Sequence, residues 1–314
     1  MTPLVSILIP CYNAAPWLEA TLNSALAQTH PHTEIILVDD GSTDDSLARA
    51  RRYESRGVRV VAQPNAGASA ARNHALRLSH GDYIQFLDSD DLLTPDKIAA
   101  QLAALHTPPA HADSVASCRW GRFTTDPAAA TFVDHAVFRD FAPLDYLVAH
   151  TGGAQMMHPA AWLVPRAVAE RAGPWDESLS LNDDGEYFAR IVLAAHSIVF
   201  SSAGASLYRS NLTGSLSRQR SRRALESVFR SVELVATHVR QAEDSPPTRR
   251  ALADYWQRLA FEIYPEAPDL CRRAETEVRA YGGSSVSPAM GSRLRFLARL
   301  IGWKPSRRLQ HLFK

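Results

Sequence analysis

Four short apolar runs, "VSILIP" (Val5–Pro10), "EIILVD" (Glu34–Asp39), "VRVVAQ" (Val58–Gln63) and "YIQFLD" (Tyr83–Asp88), alternate with helix-period segments through the first third of the chain. Each run is nearly continuous in apolar character and rich in Val and Ile, as strands covered on both faces are. Between them, Trp17–Gln28, Asp44–Ser55, Gly67–Ser79 and Pro95–His106 carry apolar residues at helical spacing. Such a series folds as βαβ units, so the sequence predicts an α/β protein with a mostly parallel central sheet flanked by helices. Ligands of such sheets bind in the crevice beyond the carboxyl ends of the strands. The residues at those ends therefore carry the functional signal.

They are acidic. In "FLDSDDLLTP" (Phe86–Pro95), Asp88, Asp90 and Asp91 crowd directly after the fourth run. One of them could cap the next helix, but three together repel one another, and a cation is the usual remedy. Hard carboxylate oxygens suit Mg2+ or Mn2+, and Mg2+ commonly takes one or two carboxylates with substrate phosphates and water. "VDDGSTDDS" (Val38–Ser46) places Asp39 and Asp40 at a second strand end, with Gly41 for a tight turn and a cap at Ser42 or Thr43. This is either a capped turn or a base-reading site, since a strand-end carboxylate can accept the N3–H of uracil. In "PNAGASAARNHAL" (Pro64–Leu76), small residues at Gly67, Ala68 and Ser69 allow close approach to a helix start, and Arg72 is the cation on the next turn. An anion is favoured there; alternatively Arg72 pairs with a strand-end aspartate.

Absences narrow the field. Neither GxGxxG after the first strand nor GxxxxGK[ST] is present, which excludes the common dinucleotide and P-loop routes to phosphate. The chain of 314 residues is 46% hydrophobic with a net charge of +1, which suits a globular protein with no nucleic-acid partner. No stretch reaches the roughly 20 apolar residues of a membrane span. "MTPLVSILIP" runs straight into a strand without a basic leader, and Cys11, Cys118 and Cys271 form neither a disulfide framework nor a zinc spacing, so a cytoplasmic location is expected.

The four motifs in this order, "VSILIPCYNAAPWLEATLNSALAQT", "EIILVDDGSTDDS", "NAGASAARNHAL" and "GDYIQFLDSDDLLTPDKI", resemble a family 2 glycosyltransferase of the GT-A fold. The likeness runs from about Val5 to Tyr208 and is most specific in the first hundred residues. It implies that Asp88 and Asp90 hold Mg2+ or Mn2+ against a sugar-nucleotide diphosphate, with Ser89 between them. It implies that Asp40 reads the base with Asp39 beside it, that Pro10 and Tyr12 lie along the nucleoside, and that Arg72 lies near the ribose or diphosphate. An inverting enzyme of this kind also needs a general base. "GPWDESLSLNDDGEYFARI" (Gly173–Ile191) resembles the family's acidic element, which puts that role on Asp184, with Asp183 as the neighbouring alternative and a helix expected over Tyr187–Ala195. The competing reading is helix capping. His158, Trp162 and Trp175 read as structural or as substrate contacts.

Processive members of the family carry a QxxRW element followed by membrane spans, and this chain shows neither, so it is expected to add one sugar or a few. The expected organisation is a catalytic domain over 1–220, with a nucleotide-sugar half (1–106) and an acceptor half (107–220). A helical C-terminal appendage follows over 221–314, serving acceptor binding or dimerisation. The expected reaction is metal-dependent inverting transfer from a nucleotide sugar, a UDP-sugar first, to a glycan or lipid-linked acceptor. A sugar-nucleotide pyrophosphorylase and an inactive sugar-nucleotide binding module are the rivals. The tail "MGSRLRFLARLIGWKPSRRLQHLFK" (Met290–Lys314) has seven Lys and Arg interleaved with apolar residues, and no acidic residue follows Glu277. It is either a basic amphipathic segment for the anionic inner membrane face or a packed helix with a solvated basic side.

Overall fold

The computed structural model describes residues 2–108, 110–211, 219–288, 298 and 300–312. The four runs are strands β1 (Val5–Cys11), β2 (Thr33–Asp39), β3 (Val58–Ala62) and β4 (Tyr83–Phe86). They lie in the order β3-β2-β1-β4, all parallel, and a short antiparallel strand over Val164–Pro165 closes the edge next to β4. The crossover helices are α1 (Leu18–Leu26), α2 (Ser46–Arg51), α3 (Ala68–Leu78) and α4 (Lys97–Leu105), each within a few residues of its expected span.

A second sheet, which the sequence reading did not anticipate, follows. Counting along the chain, β5 (Leu92–Leu93), β6 (Val115–Phe123) and β7 (Thr131–Phe132) precede the edge strand just described, β8; β9 (Ile198–Arg209) completes the set in the order β5-β9-β6-β7. Helices α5 (Pro143–Gly153), α6 (Arg166–Ala172) and α7 (Asp183–Ala194) lie in this half. Alternation along the strands splits the core. Ile7, Ile9, Ile35 and Leu37 face α1, α2 and α4, whereas Leu8, Ile36, Val38 and Phe86 face α3 and α7.

From Arg222 the chain is helical, as expected: α8 (Arg222–Ala242), α9 (Pro246–Ile263), α10 (Pro268–Ala280) and, after a break, α11 (Trp303–Leu312). Ser221 caps α8 by accepting from the Ala224 N–H. Its apolar stripe, Leu225, Val228, Phe229, Val232, Val235 and Val239, is buried in the same cluster as Trp162, Tyr187 and Phe188. With each such side chain contributing on the order of 1.5–3 kcal/mol on burial, α8 shares one core with α7. Pro305 sits in the first turn of α11, where a missing N–H removes no helical hydrogen bond.

Candidate active site

The carboxyl ends of β1, β2 and β4 meet at one edge of the main sheet. After β1, Asn13 takes a left-handed conformation (φ 49°), and its Oδ1 accepts from the Thr43 N–H at 2.8 Å, which ties the first loop to the second. Gly41 has φ 72°, and a Cβ there would meet the Asn65 nitrogen at 2.8 Å, so only glycine lets these loops close. Pro10 is buried and Tyr12 is half exposed at the mouth.

The two aspartates of β2's end have different work. Asp40 accepts from Gln63 Nε2 at 2.7 Å and from the backbone N–H groups of Ala66 and Gly67 at 2.9 and 2.8 Å. Its carboxylate thus holds the turn that starts α3. Asp39 accepts from the Ser42 N–H at 3.1 Å through Oδ2, while its buried Oδ1 has no hydrogen-bond partner. Asp39 Oδ1 is thus the carboxylate oxygen at this strand end with no partner, while Asp40 Oδ2 accepts a single bond.

The acidic turn after β4 is pinned from behind. Thr21 of α1 donates to the Ser89 and Asp91 carbonyls at 3.0 and 2.9 Å. Asp91 is buried, accepting from the Arg209 N–H at 2.8 Å and meeting His158 Nδ1 at 3.0 Å; the far side of that imidazole meets Ser206 Oγ at 2.9 Å. Burial pulls His158 down to about 4, so it serves as a neutral brace. Arg209 donates to the Asp90 carbonyl at 2.9 Å and lies between the Trp17 and Phe123 rings. Asp88 and Asp90 are left at the front, partly exposed. Burial first, then the charges of Asp91 and Asp88, pushes Asp90 up to about 8.

Arg72 joins this turn to the other half of the chain. Its Nη2 donates to Asp88 Oδ1 at 2.7 Å and its Nη1 to Asp183 Oδ2 at 2.8 Å, with the guanidinium 4.4 Å above the Trp175 ring. Ser69 Oγ also donates to Asp183 Oδ2 at 2.8 Å. Asp183 is therefore engaged, and Asp184 is the carboxylate beside it without that pairing. Burial first, then Asp183, pushes Asp184 up to about 6, against the pull of Arg72. Both residues lie in the first turn of α7, which begins at Asp183 and not at Tyr187 as expected. Trp162 and Trp175 are 1% exposed and belong to the core, so neither stacks on a sugar.

The glycosyl transferase family 2 model matches residues 6–170, more than half of the chain. The chain belongs to this family. TuaG of Bacillus subtilis, named as a teichuronic acid biosynthesis glycosyltransferase, is 47% identical over 103 residues, covering 32% of this chain and 41% of TuaG. An uncharacterised glycosyltransferase of Rickettsia typhi is 31% identical over 186 residues, 58% of this chain and 57% of the relative. The match thus spans less than two thirds of these curated relatives. Among solved structures, S. aureus TarS 1–349 in complex with UDP-GlcNAc superposes with a TM-score of 0.71 at 18% identity, covering 88% of this chain and 81% of TarS. The mannosyltransferase PcManGT from Pyrobaculum calidifontis, in complex with GDP-Man and Mn2+, gives 0.55 at 20% identity over 98% and 83%. The fold is GT-A.

In this family 2 chain, the structure brings together the residues of both expected sets, with Arg72 as the link. No group of three metal-ligating side chains is gathered at one point among the described residues. A divalent ion with two carboxylates and diphosphate oxygens needs no third, and Asp88 and Asp90 are the two carboxylates of this turn left partly exposed. The donor set therefore fits Mg2+ or Mn2+. Arg209 and Thr21 were not singled out from sequence, and of the two readings of His158 the structure shows the structural one. Arg209 meets Asp91 across 118 positions, and no local pattern signals such a pairing.

Proposed function

We propose that this chain is a metal-dependent inverting glycosyltransferase that uses a UDP-sugar. The observation that carries the reading is the Arg72 bridge, which sets the donor-side Asp88 and the acceptor-side Asp183 on one guanidinium, with Asp90 and Asp184 as their neighbours in sequence. Asp88 and Asp90 would hold Mg2+ or Mn2+, which supplies charge neutralisation for the leaving diphosphate. Asp39 Oδ1 offers the one acceptor that a uracil N3–H needs, with Asp40 holding the adjacent turn, Pro10 and Tyr12 beside the nucleoside and Ser89 beside the diphosphate. Asp184 takes the proton of an acceptor hydroxyl as that oxygen attacks the anomeric carbon. The bond from carbon to the diphosphate oxygen breaks on the opposite face, UDP leaves, and the anomeric configuration inverts.

UDP-GlcNAc in TarS supports the UDP-sugar donor, and the teichuronic acid biosynthesis name of TuaG supports a glycan or lipid-linked acceptor in cell-surface polysaccharide or glycoconjugate synthesis. Among the described residues, no helix is long and apolar enough to cross a membrane. Peripheral contact through the tail is the route we favour: Trp303 packs edge-on to Phe261 and Tyr264, while Leu300, Ile301 and Leu309 are exposed on a basic segment. Residues 289–297 and 299 of that segment lie outside the described residues. The test is a panel of UDP-sugars scored for UDP release with and without Mn2+. Metal-dependent release supports the transferase; binding without release is the inactive module, and UTP formation on adding pyrophosphate is the pyrophosphorylase.

A further inference from the structure

Helix interiors disfavour serine, and a serine hydroxyl inside a helix ordinarily turns back to its own i−4 carbonyl. Two serines one turn apart on the buried face of α8 do something else. The Ser227 hydroxyl accepts from the backbone N–H groups of Ser180 and Leu181 at 2.8 and 2.9 Å and donates to the Leu181 carbonyl at 2.8 Å. The fully buried Ser231 hydroxyl accepts from Asn182 Nδ2 at 2.8 Å and donates to the Asn182 carbonyl at 2.6 Å.

Residues 180–182 form the turn that leads directly into Asp183 and Asp184. Asn182 holds a left-handed conformation (φ 59°, ψ 28°) that a non-glycine residue keeps only when its surroundings fix it. Its side chain is also hemmed in from the α7 side, since a Cβ on Gly185 would meet Asn182 Oδ1 at 2.9 Å. Tyr255 of α9 lies near enough to the Asn182 side chain and to Asp184 to feel both.

We infer that Ser227 and Ser231 are positioning residues for sugar transfer: they fix the 180–182 backbone and so the direction in which the first turn of α7 presents Asp184. The helical region is then part of the catalytic apparatus, not a separate acceptor or dimerisation module. The inference rests on Asp184 as the base. A displacement of about 1 Å in a reacting group can cost on the order of a hundred-fold in rate, so two lost tethers should be visible in turnover.

The experiment is a double-mutant cycle in the full-length chain, measured as UDP release to water from the fastest UDP-sugar of the panel with Mn2+. Ser231→Ala and Ser227→Ala are each expected to lower kcat at least ten-fold with donor KM within two-fold. In an Asp184→Asn background the same changes are expected to cost nothing further, because they act through the group already removed. Equal losses in both backgrounds, or no loss in the wild-type background, overturn the inference and make the serines ordinary packing. Should Ser231→Ala fail to fold, the cycle with Ser227→Ala decides. Wild-type turnover by Asp184→Asn would instead sink the base assignment itself, whatever the serines do.

Discussion

A carboxylate takes a proton only after losing its own, so under the proposed function the charge environment of Asp184 sets the pH at which transfer runs. With its pKa raised to about 6, the acid limb of kcat/KM is expected near that pH, with rate falling as pH drops through it. Asp184→Asn should lower kcat by roughly 10²–10⁴, the usual share of a general base, with UDP affinity within a few-fold. Asp183→Asn should act differently: it frees one arm of Arg72, and a variant of Asp183 that alone abolished turnover while Asp184→Asn stayed active would reverse the assignment. Asp90 makes a stability prediction. Its folded pKa lies above the unfolded value, so the native state binds the extra proton between pH about 4 and 8, and this group's contribution to stability falls as pH rises through that window. Metal-free protein should therefore lose melting temperature from pH 5 to pH 8 relative to Asp90→Asn. Mn2+ should raise the wild-type melting temperature more at pH 8 than at pH 5, and a shift of equal size in Asp90→Asn would remove that carboxylate from the metal set.

At the scale of elements, the proposed function divides base reading and loop building between Asp39, which ends β2, and Asp40, which follows it. Asp39→Ala is expected to weaken UDP binding about ten-fold or more by calorimetry, whereas Asp40→Asn should leave binding within a few-fold. Asp40→Asn should instead cost about 1–3 kcal/mol of stability, because an amide nitrogen would face backbone donors that now meet a carboxylate. The reverse pattern would return base reading to Asp40. β1 to β4 and α1 to α4 were legible because continuous Val and Ile runs and three-to-four spacing are local signals. The start of α7 was not: the helix was expected from Tyr187, and it begins at Asp183 after a left-handed Asn182 held by Ser231, 49 positions away. The same reason governs the site. Asp88 and Asp90 announce themselves within one turn, while the partners that orient them, Arg72, Arg209 and His158, arrive from three other elements.

For the molecule as a whole, the tail poses the question of where the enzyme sits. Full-length protein is expected to co-sediment with vesicles containing anionic lipid and not with neutral ones, with binding weakened by salt and lost on truncation after Pro288. Protein that stays in the supernatant at low salt would make the tail a packed helix whose Lys304 merely pairs with Glu275 at 2.7 Å. The shared core has a consequence of another kind, in the order of synthesis. Buried residues on the α1, α2 and α4 face of the sheet run from Val5 to Leu163, so that face can close on a growing chain once its first half has left the ribosome. The opposite face draws on residues as late as Val278. A nascent chain thus holds α5 and α7 on the sheet without their outer cover until α8 to α10 emerge. The interval between the two closures is when this protein most needs a chaperone.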